Sequence, residues 1–280
     1  MTSRRPLPAR SLLAAGLAGL LLALAACSSP QASPAPKLRA AARQARLGEE
    51  AYLTGRLDEA IRALREAVRL HLSAGDVPGA GRSLVNLALA QRAAGQPAGA
   101  LGTAALLLQL APAADQQARE RGAAGEAMIA SAWLTALLAV DRGEPAAAAG
   151  ALAALPPGPY APLWTGRIEN VRADLALASG RPAEALDHAR AGRPASAAAG
   201  DRAEEARALR LAGTARLGLG QWTEARAEFL AAVRLEESLG GGARMAGDLY
   251  HLAEIAEHQG DAPAARLYTA RADLLTGKKP

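Results

Sequence analysis

Alanine and leucine supply most apolar positions from Lys37 onward, and arginines alternate with glutamates and aspartates between them. No stretch shows the apolar–polar alternation of a half-buried strand, so the pattern predicts helices throughout. The helical runs are cut at six places. These are Gly55-Arg-Leu-Asp-Glu-Ala60, Gly95-Gln-Pro-Ala-Gly-Ala100, Gly143-Glu-Pro-Ala-Ala-Ala148, Gly180-Arg-Pro-Ala-Glu-Ala185, Gly220-Gln-Trp-Thr-Glu-Ala225 and Gly260-Asp-Ala-Pro-Ala-Ala265. Successive opening glycines lie 40, 48, 37, 40 and 40 residues apart. Spacing of this size and regularity predicts a stacked array of repeats.

Each cut has a physical logic. Glycine fits the left-handed position just past a helix C-terminus. Proline at the next helix's first turn gives up no needed hydrogen bond. The alanine five residues after the glycine lets the second helix approach the first closely. Six helix–turn–helix hairpins are therefore expected, at about 38–73, 77–110, 126–155, 163–195, 202–238 and 243–275. Between hairpins, Gly75-Asp76 and Gly200-Asp201 close one helix and cap the next, and Asp201 with Glu204 forms a capping-box pattern. Gly240-Gly-Gly242 marks another break; no strand precedes it, which argues against a phosphate loop. The 48-residue step contains an extra stretch, Ala113 to Gly125, expected to lengthen the first helix of the third hairpin. Pro156 to Pro162 forces a non-helical link, beside which Tyr160 and Trp164 either pack over the joint or meet a partner.

These positions resemble the tetratricopeptide repeat in its variety of about forty residues. Leu47, Gly48, Gly55, Ala60, Leu64 and Ala67 fall at the family's small and large positions in the first repeat. Leu84, Leu87, Ala88, Gly95, Ala100 and Pro112 do so in the second. The fifth repeat matches at Leu209, Gly213, Gly220, Ala225, Phe229 and Ala232, and the sixth at Leu249, Leu252, Ala253, Gly260, Ala265 and Ala272. The third and fourth depart from it: Thr135 and Arg172 stand where leucine is usual, and Gly192 replaces an alanine. The resemblance covers roughly residues 37–276 and implies an all-α, right-handed solenoid of about six hairpins.

Charge changes little. The formal net charge is +5, but Arg4, Arg5 and Arg10 open an N-terminal apolar run, and without them 29 basic residues face 27 acidic ones, or +2. Aromatic residues make up only 3% of the chain, so a basic surface with stacking rings for nucleic acid is not expected. Residues 1–26 read as a secretory leader. Ser11 to Ala26 is uncharged but reaches only about 24 Å as a helix, short of the roughly 30 Å hydrocarbon core.

The leader ends in Leu24-Ala25-Ala26-Cys27, which resembles the bacterial lipobox. That resemblance implies cleavage before Cys27, a diacylglycerol on its sulfur and acylation of its amine. Two or more chains hold a protein lastingly at a membrane. Cys27 is the only cysteine, so no disulfide is available. Ser28, where an aspartate would imply inner-membrane retention, implies the outer membrane, periplasmic face. Residues 27–36 follow as a lipidated, proline- and serine-rich tether, and 277–280 as a tail.

Chemistry is sparse. His251, Glu254 and His258 share one helix face, which gives the alternative reading of a metal-dependent enzyme or small-molecule binder, although the His-Glu-x-x-His pattern is missing. No nucleophile elbow, dinucleotide fingerprint or paired cysteines occur, so neither catalysis nor a cofactor is expected. The family resemblance instead implies that first helices line a concave face that grips other envelope proteins. By register that face carries Arg82, Val85, Asn86, Leu89 and Arg92, then Trp133 and Leu137, Asn170 and Asp174, Arg210 and Thr214, and finally Tyr250, Glu254 and Glu257. The lysine–asparagine set of the carboxylate-clamp version is missing. No polar capping helix follows Leu274, so the face bearing Leu267 and Leu274 is expected to meet a partner or a second copy.

Overall fold

The computed structural model describes residues 36–240 and 242–277. The expected leader, Cys27, the expected tether up to residue 35 and residues 278–280 lie outside the described residues. Among the described residues the chain forms twelve α-helices and no strand. They pair as six hairpins: α1 (Pro36–Leu53) with α2 (Leu57–Ser73), α3 (Val77–Ala93) with α4 (Pro97–Glu120), α5 (Ala127–Asp141) with α6 (Pro145–Ala153), α7 (Pro162–Ala178) with α8 (Pro182–Ala198), α9 (Arg202–Gly218) with α10 (Trp222–Leu239), and α11 (Gly242–His258) with α12 (Ala262–Thr276). Hairpin packs on hairpin in chain order, and the first helices α1, α3, α5, α7 and α9 also pack on one another in sequence. The molecule is an all-α solenoid of helical hairpins.

The corners repeat one hydrogen-bond pattern. Each opening glycine carries a positive φ. The residue after it donates its amide to a carbonyl five residues back: Arg56 to Ala51 at 2.8 Å, Gln96 to Gln91 at 2.8 Å, Gln221 to Arg216 at 2.9 Å and Asp261 to Ala256 at 2.8 Å. This closure satisfies carbonyls that a helix end would leave bare. The partner alanines Ala60, Ala100, Ala148, Ala185 and Ala225 are fully buried. Gly220 has φ +71°, with open space where a Cβ would stand, so a substitution there suffers from backbone conformation alone. Gly220→Val should cost about 1–3 kcal/mol by strain, and Ala225→Leu about as much by overpacking, read from urea unfolding midpoints.

Two first helices carry a glycine under a large residue of the second helix. A Cβ on Gly48 would lie 2.5 Å from Leu64 Cγ, and one on Gly213 would lie 2.9 Å from the Phe229 ring. Leu64 and Phe229 are fully buried as a result. A larger apolar cluster joins the middle of the array, with Leu84, Leu107, Trp133, Leu134, Ile168 and Val171 among its buried members.

One expected boundary is corrected. The extra stretch does not lengthen the third hairpin's first helix; it extends α4, which runs 24 residues through Pro112. Proline removes one helical donor, but Pro112 is exposed, where water can serve the released carbonyl. Pro194 lies inside α8 in the same way, also exposed. Tertiary bonds hold the added turns. Gln117 accepts from the Val77 amide at 3.0 Å and donates to the Gly75 carbonyl at 2.8 Å. Among the described residues α4 is the one helix long and apolar enough to cross a membrane; here its Ala100, Ala104, Leu107 and Ala111 are buried between α3 and α5.

Candidate binding groove

The α4 extension builds one wall of a groove lined in large part by first helices. Asp115, 5% exposed, accepts the amides of Ala127 at 2.6 Å and Met128 at 3.1 Å, capping α5 from a neighbouring helix. Arg121 donates to Asp76 at 2.8 Å, and His71 Nδ1 meets the other oxygen of Asp76 at 2.7 Å. The α2–α3 junction, the end of α4 and the start of α5 are thereby tied together. Beside them opens a groove of about 510 Å³. Residues of α1, α3, α5 and α7 line it together with the end of α4; alanines and glycines are frequent in the lining, and Arg46, Arg82, Asn86, Arg121, Glu126 and Arg167 are among its polar members.

Burial alone would raise the Asp76 carboxyl. The Arg121 guanidinium, His71 and the Gly79 amide outweigh it and hold Asp76 below the usual carboxylate range. A lowered folded value means that stability is present above the unfolded carboxylate range and is lost as pH falls through the lowered one. Between about pH 5 and pH 2 the protein should therefore lose more stability than its Asp76→Asn variant, measured by urea midpoints across that window.

Of the expected concave-face residues, Arg82, Val85 and Asn86 line this groove. The others are placed elsewhere, and most of them join one hairpin to the next. Leu89 is half-buried against the central apolar cluster. Trp133 is fully buried and donates its indole N–H to the Arg167 carbonyl at 3.1 Å; Leu137 is buried beside it. The Arg167 guanidinium carbon lies 5.2 Å from the Trp133 ring centroid and 5.5 Å from that of Trp164, a cation–π contact with each ring. Trp133 and Leu137 are thus core residues and present no surface to a partner. Tyr160 donates to the Pro156 carbonyl at 2.7 Å and Trp164 is 5% exposed, so both pack over the joint.

A ladder of polar bridges runs along the first helices. Asn86 donates to Glu49 at 2.8 Å, and Arg92 pairs with Asp141, its Nη2 at 2.8 Å. Arg167 reaches Asp201 at 3.0 Å. Asn170, with no exposed surface, donates to the Glu204 carbonyl at 2.9 Å and its side chain at 2.8 Å. Asp174 pairs with Arg207. Arg210 donates to both Asp248 oxygens, at 2.6 and 3.0 Å, and approaches Glu236 at 3.4 Å. Asp248 and Glu236 are fully buried, and Arg244 closes the cluster at 2.9 Å from Glu236. Burial pushes the Asp248 carboxyl up, Arg210 pulls it down and Glu236 adds to the rise; it ends above its ordinary value. Thr214 bonds the Arg210 carbonyl of its own helix, and Tyr250 donates to Asp273 at 2.8 Å. Glu254 is exposed, 3.5 Å from His251.

The two histidines of the metal alternative are taken up by packing. His251 stacks on Phe229 with centroids 4.8 Å apart, and His258 on Trp222 at 3.7 Å. Among the described residues no three His, Cys, Asp or Glu side chains form a metal-holding group.

The groove residues missed in the sequence include Arg46, Glu49, Asp115, Arg121 and Arg167. Complementary residues one repeat apart, such as Arg167 and Asp201, were the available signal. The fold and groove define a class: an all-α hairpin solenoid with a polar-walled inner groove. Comparison with protein-family models finds no match, and comparison with curated proteins finds none.

Proposed function

We propose that this chain is a non-enzymatic scaffold whose groove holds a segment of another protein. One observation carries the reading: four successive first helices contribute to a single groove of about 510 Å³, a size suited to a bound segment. The resemblance to tetratricopeptide repeats supports a peptide or helix as the occupant. The lipobox resemblance at Cys27 supports anchorage at the outer membrane, facing the periplasm. On that reading the partners are envelope proteins, in secretin or pilus assembly, outer-membrane protein insertion or cell-wall machinery. Nucleic acid is not among the proposed partners. The exposed Leu267 and Leu274 of α12, 67% and 78% accessible, support a second contact through the last hairpin, with a partner or another copy. Charged substitutions there should alter sedimentation or capture.

The test is photocrosslinking in cells from Asn86, at the groove, with Arg226 on α10 as a control site. Capture of one envelope protein from Asn86 but not Arg226 supports the scaffold; equal capture from both sinks it. Cys27→Ser should leave the helical melting curve unchanged and move the protein from the membrane to the soluble fraction. Retention at the membrane would overturn the anchor.

A further inference from the structure

The charged side chains lining the groove are unequally occupied. Asp76 is held by Arg121 and His71, Asp115 by the amides of α5, Glu49 by Asn86, and Arg167 by Asp201. The side chains of Arg46, Arg82 and Glu126 make no hydrogen bond or ion pair among the described residues. Their placement is polarised. Arg46 lies one turn before Glu49 on α1, and Arg82 one turn before Asn86 on α3. The Glu49–Asn86 bond fixes the register of these two helices, so the two guanidinium-bearing turns stand side by side. Glu126, the N-cap residue of α5, lines the same groove.

We infer that the groove takes an acidic peptide segment, its carboxylates against Arg46 and Arg82 and a basic residue further along against Glu126; this rests on the scaffold reading above. Guanidinium and carboxylate match as bidentate partners, and a pair of exposed arginines on a fixed spacing selects acidic over neutral segments. The alanines and glycines of the lining leave room for a main chain. The chain's own tether is a poor occupant, because residues 28–35 contain no carboxylate side chain.

The test is calorimetry on the full chain with a short, end-blocked peptide of alanine, glutamate and one arginine, against the same peptide with glutamine for glutamate. The glutamate peptide should bind at least about tenfold more tightly, and added salt should narrow the difference. Arg46→Gln combined with Arg82→Gln should remove that preference at an unchanged melting temperature. Equal affinity for the two peptides, a preference that survives the double variant, or no binding of either overturns the inference. In each of those cases capture from Asn86 in cells still decides the scaffold reading separately.

Discussion

Arg210→Ala should destabilise the protein by about 3–5 kcal/mol, the largest loss expected from a single polar side chain here. Asp248 and Glu236 have no exposed surface, and Arg210 bridges them from α9 across to α10 and α11. Removing it leaves two buried carboxylates with Arg244 alone. Asp248 already titrates above its ordinary value in the presence of Arg210, so its ionised form is poorly tolerated. The variant should therefore regain stability as pH falls into the carboxylate range, where the orphaned Asp248 takes up a proton. Adding Asp248→Asn should recover part of the loss, giving a coupling energy in the double-mutant cycle. Additive effects of the two substitutions would show that the bridge does not couple the fifth and sixth hairpins.

Trp133→Ala should cost about 3–5 kcal/mol. Its indole is fully enclosed, lies edge-on to Trp164 with centroids 6.0 Å apart, and carries the Arg167 guanidinium over its face. Trp133→Phe keeps most of the packing and loses the bond to the Arg167 carbonyl, so it should cost nearer 1 kcal/mol beyond the volume change. Urea unfolding measures both. If Trp133→Ala instead leaves the midpoint in place and abolishes partner capture, the residue belongs to a binding surface and its place in the core is refuted.

The corners were legible because one requirement dictates each residue. A left-handed turn wants glycine, a close crossing wants alanine, and both recur at repeat spacing. The Asp201 cap was legible for the same local reason: its side chain accepts the Glu204 amide at 3.3 Å. The course of α4 was not. Pro112 signals a stop, and what carries the helix past it is the grip of Gln117 and Arg121 on residues some forty positions earlier. The inner face was legible as a row but not in its purpose. Asn170, Asp174 and Arg210 do lie on first helices, but their partners are in the next repeat. Helical register gives direction and cannot tell a groove from a seam. The histidines show the same limit, since their spacing fits a shared face while Phe229 and Trp222 decide where the rings rest.

The overhanging turns of α4 give the array an uneven elasticity. Solenoids flex by small rotations at each joint, shared along their length. Here one joint is cross-braced: Gln117 and Arg121 clasp the α2–α3 turn while Asp115 holds the start of α5. Under a pulling force, extension should concentrate in the later hairpins and leave the groove's curvature nearly constant.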